Sequence, residues 1–263
     1  MEELATLRAP AERFERLIRE TSVTSPDEPP VFRLVRLSLS ADRVVATRPT
    51  AGEGPTFEVR YADSFLSAID VADESVFAAL GTEATVRWLD WFEGESLTAR
   101  FFGDGDAGVA GSVELDDGSD SVAVGPLPSE VVDPDVDAGR PTAFDDDTFA
   151  PDGTPAPTTV ETDAETLERV ADAADIVDDE GFPVVVSDGE FRLAVVGDEM
   201  HARGSLPATV DGPDCENRYG SELATLARVL SGELTLRVVP GGPLAVVQES
   251  EDARRRYVLE QTM

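Results

Sequence analysis

The chain has 263 residues, 41% of them hydrophobic, which is enough for a substantial core in one large or two ordinary domains. Acidic residues number 54 against 21 basic ones, a net charge of −33, and every basic residue is arginine. One cysteine, Cys215, and one histidine, His201, exclude an internal disulfide, a multi-cysteine zinc site and a multi-histidine metal centre. No apolar run approaches the length of a membrane span, and the Met-Glu-Glu start lacks a basic, apolar leader, so a cytoplasmic protein is expected. The acids are mixed with ordinary apolar periodicity, unlike a disordered acidic tail. This composition suits a cytoplasm of molar salt, as in an extreme halophile, where the Debye length is about 3 Å and self-repulsion is screened. The other reading is an acidic mimic of nucleic acid. Acidity alone does not exclude a DNA partner, but phosphate contacts would then be local arginine patches.

Leu7 to Glu20 is predicted helical: Pro10 suits the first turn, and Phe14, Leu17 and Ile18 form one apolar stripe. Arg8, Arg13, Arg16 and Arg19 give it an arginine-rich outer surface, interleaved with Glu12, Glu15 and Glu20. Such a surface either meets a polyanion or is a solvated face laced by i,i+3 and i,i+4 ion pairs. Alternation predicts strands over Val31–Leu39, Asp42–Thr47 and Phe57–Tyr61. Helical material is expected around Phe65, Leu66 and Ile69, and again from Glu74 to Leu80. Strands follow at Thr85–Phe92, Leu97–Phe102 and Val109–Leu115.

Asp116 to Thr159 changes character: it is rich in Pro, Gly and Asp, with isolated apolar residues and no periodicity beyond a short strand at Val122–Val124. A stretch this long is a functional loop or a linker. The expected organisation is one unit over 1–121, a connection over 122–159 and a second unit over 160–263.

In the second unit Asp163 stands at the cap of a helix reaching Asp175, with Leu167, Val170, Ala171 and Ala174 on one face. Phe182–Ser187 and Glu190–Val196 read as a hairpin across Ser187-Asp188-Gly189, and Met200–Leu206 as a third strand. From Cys215 the chain reads strand, helix, then three strands. Leu223, Leu226, Ala227 and Leu230 fall on one helical face, with Ser221 a candidate cap and Ser231-Gly232 the stop. Leu234, Leu236 and Val238 alternate, Pro240 to Pro243 turns, and Leu244–Gln248 returns. In the last strand, Arg254 to Leu259, Tyr257 and Leu259 face one side and Arg254, Arg256 and Val258 the other. Each unit thus has the order helix, three strands, helix, three strands, a repeat of element order rather than of sequence.

The ending Pro243-Leu244 … Tyr257-Val258-Leu259-Glu260-Gln261, with Ala173-Ala174-Asp175-Ile176-Val177, resembles the final part of the DNA sliding clamps of archaea and eukaryotes, the PCNA family. Glu260-Gln261 stand where that family has Ala-Pro, and Val258 where it often has an aromatic residue. The resemblance spans most of the chain. It implies an α+β fold of two similar half-domains, antiparallel sheet with helices on one face. It further implies a non-catalytic homotrimeric ring, without cofactors, that encircles duplex DNA and tethers replication or repair proteins through short clamp-binding motifs. Carried over by position, the partner groove takes Leu127, Val131 and Val132 from the connecting loop, Pro243, Val258 and Leu259 as floor, and Glu260 and Gln261 at its edge. The valines would otherwise only pin the loop to the sheet. The DNA-facing residues are Arg8, Arg13, Arg16, Arg19, Arg169 and Arg228. The second-unit helices carry only Arg169 and Arg228 among several acids, and the 74–80 segment carries no base. This keeps open a clamp-fold paralogue, monomeric or dimeric, that binds partner proteins without encircling DNA.

An α+β hydrolase is the remaining reading, but His201 sits in a predicted strand with no nucleophile elbow, and Cys215 has no activating pattern. Asp145-Asp146-Asp147 and Asp133-x-Asp135-x-Asp137 have cation-ligand spacing; the second lacks the glycine and distal glutamate of a calcium loop. Gly103-x-Gly105 precedes no helix and so makes no phosphate loop. Arg254-Arg255-Arg256 is the densest basic patch, suited to a subunit contact or a phosphate, though its side chains alternate in a strand.

Overall fold

The computed structural model describes residues 1–21, 34–48, 56–61, 63–72, 74–92, 95–104, 108–124, 158–177, 181–197 and 200–262. The first strand, β1 (Glu2–Pro10), enters α1 (Ala11–Thr21). Leu7 and Ala9, expected in a helix, instead alternate with Thr6 and Arg8 in β1, which is hydrogen-bonded on both sides. Pro10 closes the strand, and the helical stripe of Phe14, Leu17 and Ile18 begins after it, fully buried. Next come β2 (Leu34–Ser40), β3 (Arg43–Thr47), β4 (Thr56–Tyr61) and, after a short 3-10 turn, β5 (Ala68–Val71).

Two expectations are corrected between residues 74 and 92. The 74–80 segment is a strand, β6 (Val76–Gly81), and Thr82–Leu89, expected as a strand, is helix α2. Val76, Ala78 and Leu80 are buried at period 2, and pairing with β2 fixes that choice. Thr82, Thr85 and Leu89 are buried at i, i+3 and i+7, the helical spacing. The meander β7 (Ser96–Asp104), β8 (Val109–Asp116), β9 (Ser121–Val124) follows.

Beyond residue 157, β10 (Thr158–Asp163) leads into α3 (Ala164–Val177). Asp163 caps α3: its Oδ1 accepts the Thr166 N–H at 2.7 Å. β11 (Phe182–Ser187) and β12 (Glu190–Val196) join through Asp188 and Gly189, at φ of 55° and 73°. Such a left-handed pair gives the hairpin the twist its strands need. β13 (His201–Ser205), β14 (Thr209–Asp211) and β15 (Cys215–Tyr219) precede α4 (Ser221–Val229), whose cap is Gly220 rather than Ser221. Three strands close the chain: β16 (Glu233–Val238), β17 (Leu244–Glu249) and β18 (Ala253–Leu259).

Fourteen strands form one sheet in the order β14-β10-β16-β17-β18-β4-β3-β2-β6-β8-β7-β1-β5, with β9 on β8. A second sheet runs β13-β12-β11-β15. The large sheet passes from the late strands to the early ones at β18/β4, where Tyr257 lies opposite Phe57 and their rings meet edge to face at 5.3 Å. The helices form a layer of their own: α1 packs on α2, α3 on α4, and α1 also touches α4. This is an α+β architecture with the helices in one layer, as expected. Among the described residues no helix is long and apolar enough to cross a membrane.

Candidate nucleic-acid and partner interfaces

On the helix layer, six arginines stand against nine carboxylates, a local net charge of −3. Most of these arginines already hold partners. Arg13 donates to the Ser64 and Phe65 carbonyls at 2.7 and 2.8 Å, its guanidinium 5.8 Å from the Phe65 ring centroid. Arg16 pairs with Glu20 at 2.6 Å and Asp252 at 2.9 Å, and Arg19 with Glu15 at 2.6 Å. Arg228 bridges from α4 to α3, reaching Asp175 at 2.5 Å and Asp172 at 3.5 Å. Arg169 is exposed on α3 and has no ion pair among the described residues. Arg8 lies on β1, off the helix layer, and is exposed. The layer also holds Arg87, which pairs with Glu83 at 2.6 Å on α2. Reading residues 85–92 as a strand hid it; the burial spacing of Thr82, Thr85 and Leu89 was the signal that could have found it.

The partner groove is described only on its C-terminal side; Leu127, Val131 and Val132 lie outside the described residues, as do both aspartate clusters. Leu244 lies opposite Leu259 in the β17–β18 ladder, so Pro243, at the head of β17, comes to the end of β18. Leu259 is buried, Val258 and Pro243 half-buried, Glu260 exposed. One buried side chain organises this corner. Asn217, 1% exposed, donates from Nδ2 to the Val239 carbonyl and the Tyr219 hydroxyl, both at 2.7 Å, and to the Gly242 carbonyl at 3.0 Å. Its Oδ1 accepts the Gly241 N–H at 3.0 Å. Those bonds fix the turn before Pro243, where Gly241 takes φ 69°, a conformation that favours glycine. Tyr219, whose hydroxyl burial pushes well above its usual range, also forms a bridge with Gln261, and Thr262 donates to the Arg218 carbonyl at 2.9 Å. β15 therefore holds both the turn and the C-terminal tail.

The arginine run of β18 departs from simple strand parity: Arg255 and Arg256, the latter opposite Glu58 of β4, are both buried, and only Arg254 stays half-exposed. Arg255, 1% exposed, points inward and pairs with Glu20 of α1 at 2.9 Å. Glu20 also takes Arg16 and, at 3.3 Å, the Tyr61 hydroxyl. His201 is exposed on β13, whereas Cys215 is buried and burial raises its thiol pKa. Among the described residues no group of three or more His, Cys, Asp and Glu is placed to hold a metal ion.

No family model and no curated protein matches the chain. Solved structures do. A. fulgidus PCNA, in a structure with the C-terminal region of FEN-1 bound, is similar over 99% of each chain at 13% identity and a TM-score of 0.71. Proliferating Cellular Nuclear Antigen from Entamoeba histolytica is similar over 100% of each chain at 8% identity and a TM-score of 0.73. PCNA from Thermococcus kodakaraensis is similar over 98% of this chain and 100% of its own, at 14% identity and a TM-score of 0.70. The chain therefore has the sliding-clamp fold from end to end.

Proposed function

We propose that this chain is a non-catalytic sliding-clamp-like scaffold of a halophile cytoplasm, a ring of three copies that encircles duplex DNA and tethers replication or repair proteins. The observation that carries the reading is end-to-end similarity to PCNA structures, with the helices gathered in one layer. Ring closure is supported by exposed sheet edges: among the described residues β9 on β8 and β13 on β12, like β5, β14 and β15, pair with a strand on one side only. Edges of this kind pair readily with another chain, and joining one end to the other is the head-to-tail contact that closes rings. The large exposed apolar side chains suit the same contact: Trp88 and Trp91 stand at the end of α2, and Ile176, Val196 and Met200 at the end of α3 and the β12–β13 turn. Arg13, Arg16, Arg19, Arg87, Arg169 and Arg228 are the DNA-facing candidates. Pro243, Val258, Leu259, Glu260 and Gln261, with Leu127, Val131 and Val132, are the partner-facing ones.

A second reading rests on the −3 charge of the helix layer: a clamp-fold paralogue that binds partners without encircling DNA. Light scattering in molar KCl, which screens the −33 net charge, decides between them. A mass of three subunits that falls in a Trp88→Ser/Trp91→Ser variant, together with loss of retention on circular DNA in an Arg13, Arg16, Arg19→Gln triple variant, is the expected result. A concentration-independent monomer removes the ring and leaves the paralogue.

A further inference from the structure

Four alternating charges nearly close a loop between α1 and the turn that leads into β18. Arg16 holds Glu20 at 2.6 Å and Asp252 at 2.9 Å, and Arg255 holds Glu20 at 2.9 Å. The fourth side is open: Arg255 Nη2 stands 3.8 Å from Asp252 Oδ1. That nitrogen is buried and has no hydrogen-bond partner among the described residues, on a side chain 1% exposed. A buried donor without an acceptor costs stability. The carboxylate beside it is engaged elsewhere: Asp252 Oδ2 accepts from Arg16, and Oδ1 accepts the Ser250 hydroxyl at 2.6 Å. Ser250 Oγ in turn accepts from Arg255 Nη1 at 2.9 Å, so Asp252 already reaches Arg255 through one hydroxyl. A charge-assisted N–H···O contact is about 2.8 Å long, so a movement of about 1 Å brings Asp252 onto Nη2.

We propose that Asp252 is a transfer switch: when an anion draws Arg16 out of the loop, Asp252 moves onto Arg255 Nη2 and tightens the β17–β18 turn. Arg16 is the member able to leave, its side chain 42% exposed, whereas Glu20 and Arg255 are fixed by burial. The observed arrangement satisfies Arg16 and leaves Nη2 bare; the other satisfies Nη2 and releases Arg16. Two discrete positions of one carboxylate form an element that binding can bias. This also sets Arg16 apart from Arg19 and Arg87. Those leave behind carboxylates that water reaches, 35% and 60% exposed, with no bare buried donor beside them. The inference rests on the DNA-encircling reading for the identity of the anion, a backbone phosphate. It adds a consequence: contact on the helix layer is felt in β18, the strand that carries Val258 and Leu259 beyond Arg255.

The first arm of the test needs no ligand and uses the full chain in molar KCl. Arg16→Met removes the guanidinium that Asp252 now holds. If the carboxylate transfers, Asp252 gains Arg255 in that background, so adding Asp252→Asn lowers the melting temperature at least as far as it does in wild type. A carboxylate that merely loses Arg16 gives a smaller drop, and that result overturns the proposal. The crystal structure of Arg16→Met decides the same point by geometry: Asp252 Oδ1 within hydrogen-bond distance of Arg255 Nη2 is expected, and a separation unchanged from 3.8 Å overturns it. The second arm identifies the anion. Ser250 N–H and Ala253 N–H close the turn, and their hydrogen exchange is expected to slow when a duplex oligonucleotide is added to wild type and to stay unchanged in Arg16→Met. If the first arm holds and the duplex leaves exchange unchanged in wild type, the transfer stands and the DNA reading of Arg16 falls.

Discussion

Replacing Arg255 by methionine tests what holds the late strands to the first helix. Arg255 is 1% exposed and Glu20 5% exposed, and their 2.9 Å contact joins β18 to α1. Breaking a buried pair by removing one partner costs about 3–5 kcal/mol, because the remaining charge loses its compensation. Glu20 retains Arg16 at 2.6 Å and the Tyr61 hydroxyl at 3.3 Å, so the low end applies, about 3 kcal/mol. For a chain of this size that lowers the melting temperature by roughly 6–12 °C. Glu20→Gln leaves Arg255 with Asp252 at 3.8 Å and the Ser250 hydroxyl at 2.9 Å, and is expected to cost a similar amount. The double variant Arg255→Met/Glu20→Gln removes both charges, so it should cost little more than either single change. The assay is thermal and denaturant unfolding in molar KCl, analysed as a double-mutant cycle. A singly substituted Arg255→Met protein within about 1 kcal/mol of wild type, or strict additivity in the cycle, would refute the reasoning.

Three further outcomes follow from the same chemistry. The Tyr257 hydroxyl is buried with no hydrogen-bond partner among the described residues, and burial raises its pKa, so Tyr257→Phe should be neutral or stabilising by up to about 1 kcal/mol in denaturant melts. Asn217→Ala leaves the Gly241 N–H without its partner, while the Val239 carbonyl keeps the Gly242 N–H and the Gly242 carbonyl keeps the Tyr219 hydroxyl; it should cost about 1–3 kcal/mol while weakening binding of apolar-anchor peptides several-fold by calorimetry. Asp252 loses acidity to burial, but the Ser250 hydroxyl, Arg16 and Arg255 outweigh it and hold its carboxyl below the ordinary value of 3.8. A depressed folded pKa stabilises above the unfolded value and is lost as pH falls through the folded one. Asp252→Asn should therefore melt lower than wild type at pH 7, with the gap narrowing as pH falls below about 4; a gap that widens as the pH falls contradicts the assignment.

How legible these features were depends on the range of the interaction that fixes them. Local signals read correctly: Asp163 caps α3, Asp188-Gly189 makes the hairpin, and β18 presents Val258 and Arg254 on one face, because each is settled within a few residues. Val76 to Leu80 is apolar at nearly every position, so neither period stands out, and only pairing with β2 chooses strand. That choice displaced α2 and hid Arg87. Arg255 shares parity with Tyr257 and Leu259, so the strand period places it inward. Its partner Glu20 lies 235 residues away, and no local pattern could name it. The like-charged pair Arg60–Arg254 is equally invisible, since it exists only through the β4–β18 register.

Charge placement bears on how a ring of this chain would work. Outside the helix layer, Arg48, Arg255 and Arg256 are buried and Arg43, Arg60 and Arg254 lie together at the β4–β18 junction, while the helix layer is net acidic. On that layer Arg16, Arg19, Arg87 and Arg228 each hold a carboxylate within 2.9 Å. Phosphate contact there means exchanging one ion pair for another, which releases few counterions and contributes little free energy. The salt dependence of DNA binding scales with the number of phosphates neutralised, so such a ring would show a shallow dependence. Its hold on DNA would come from closure of the ring rather than from attraction. A protein that works in molar salt loses most long-range attraction in any case.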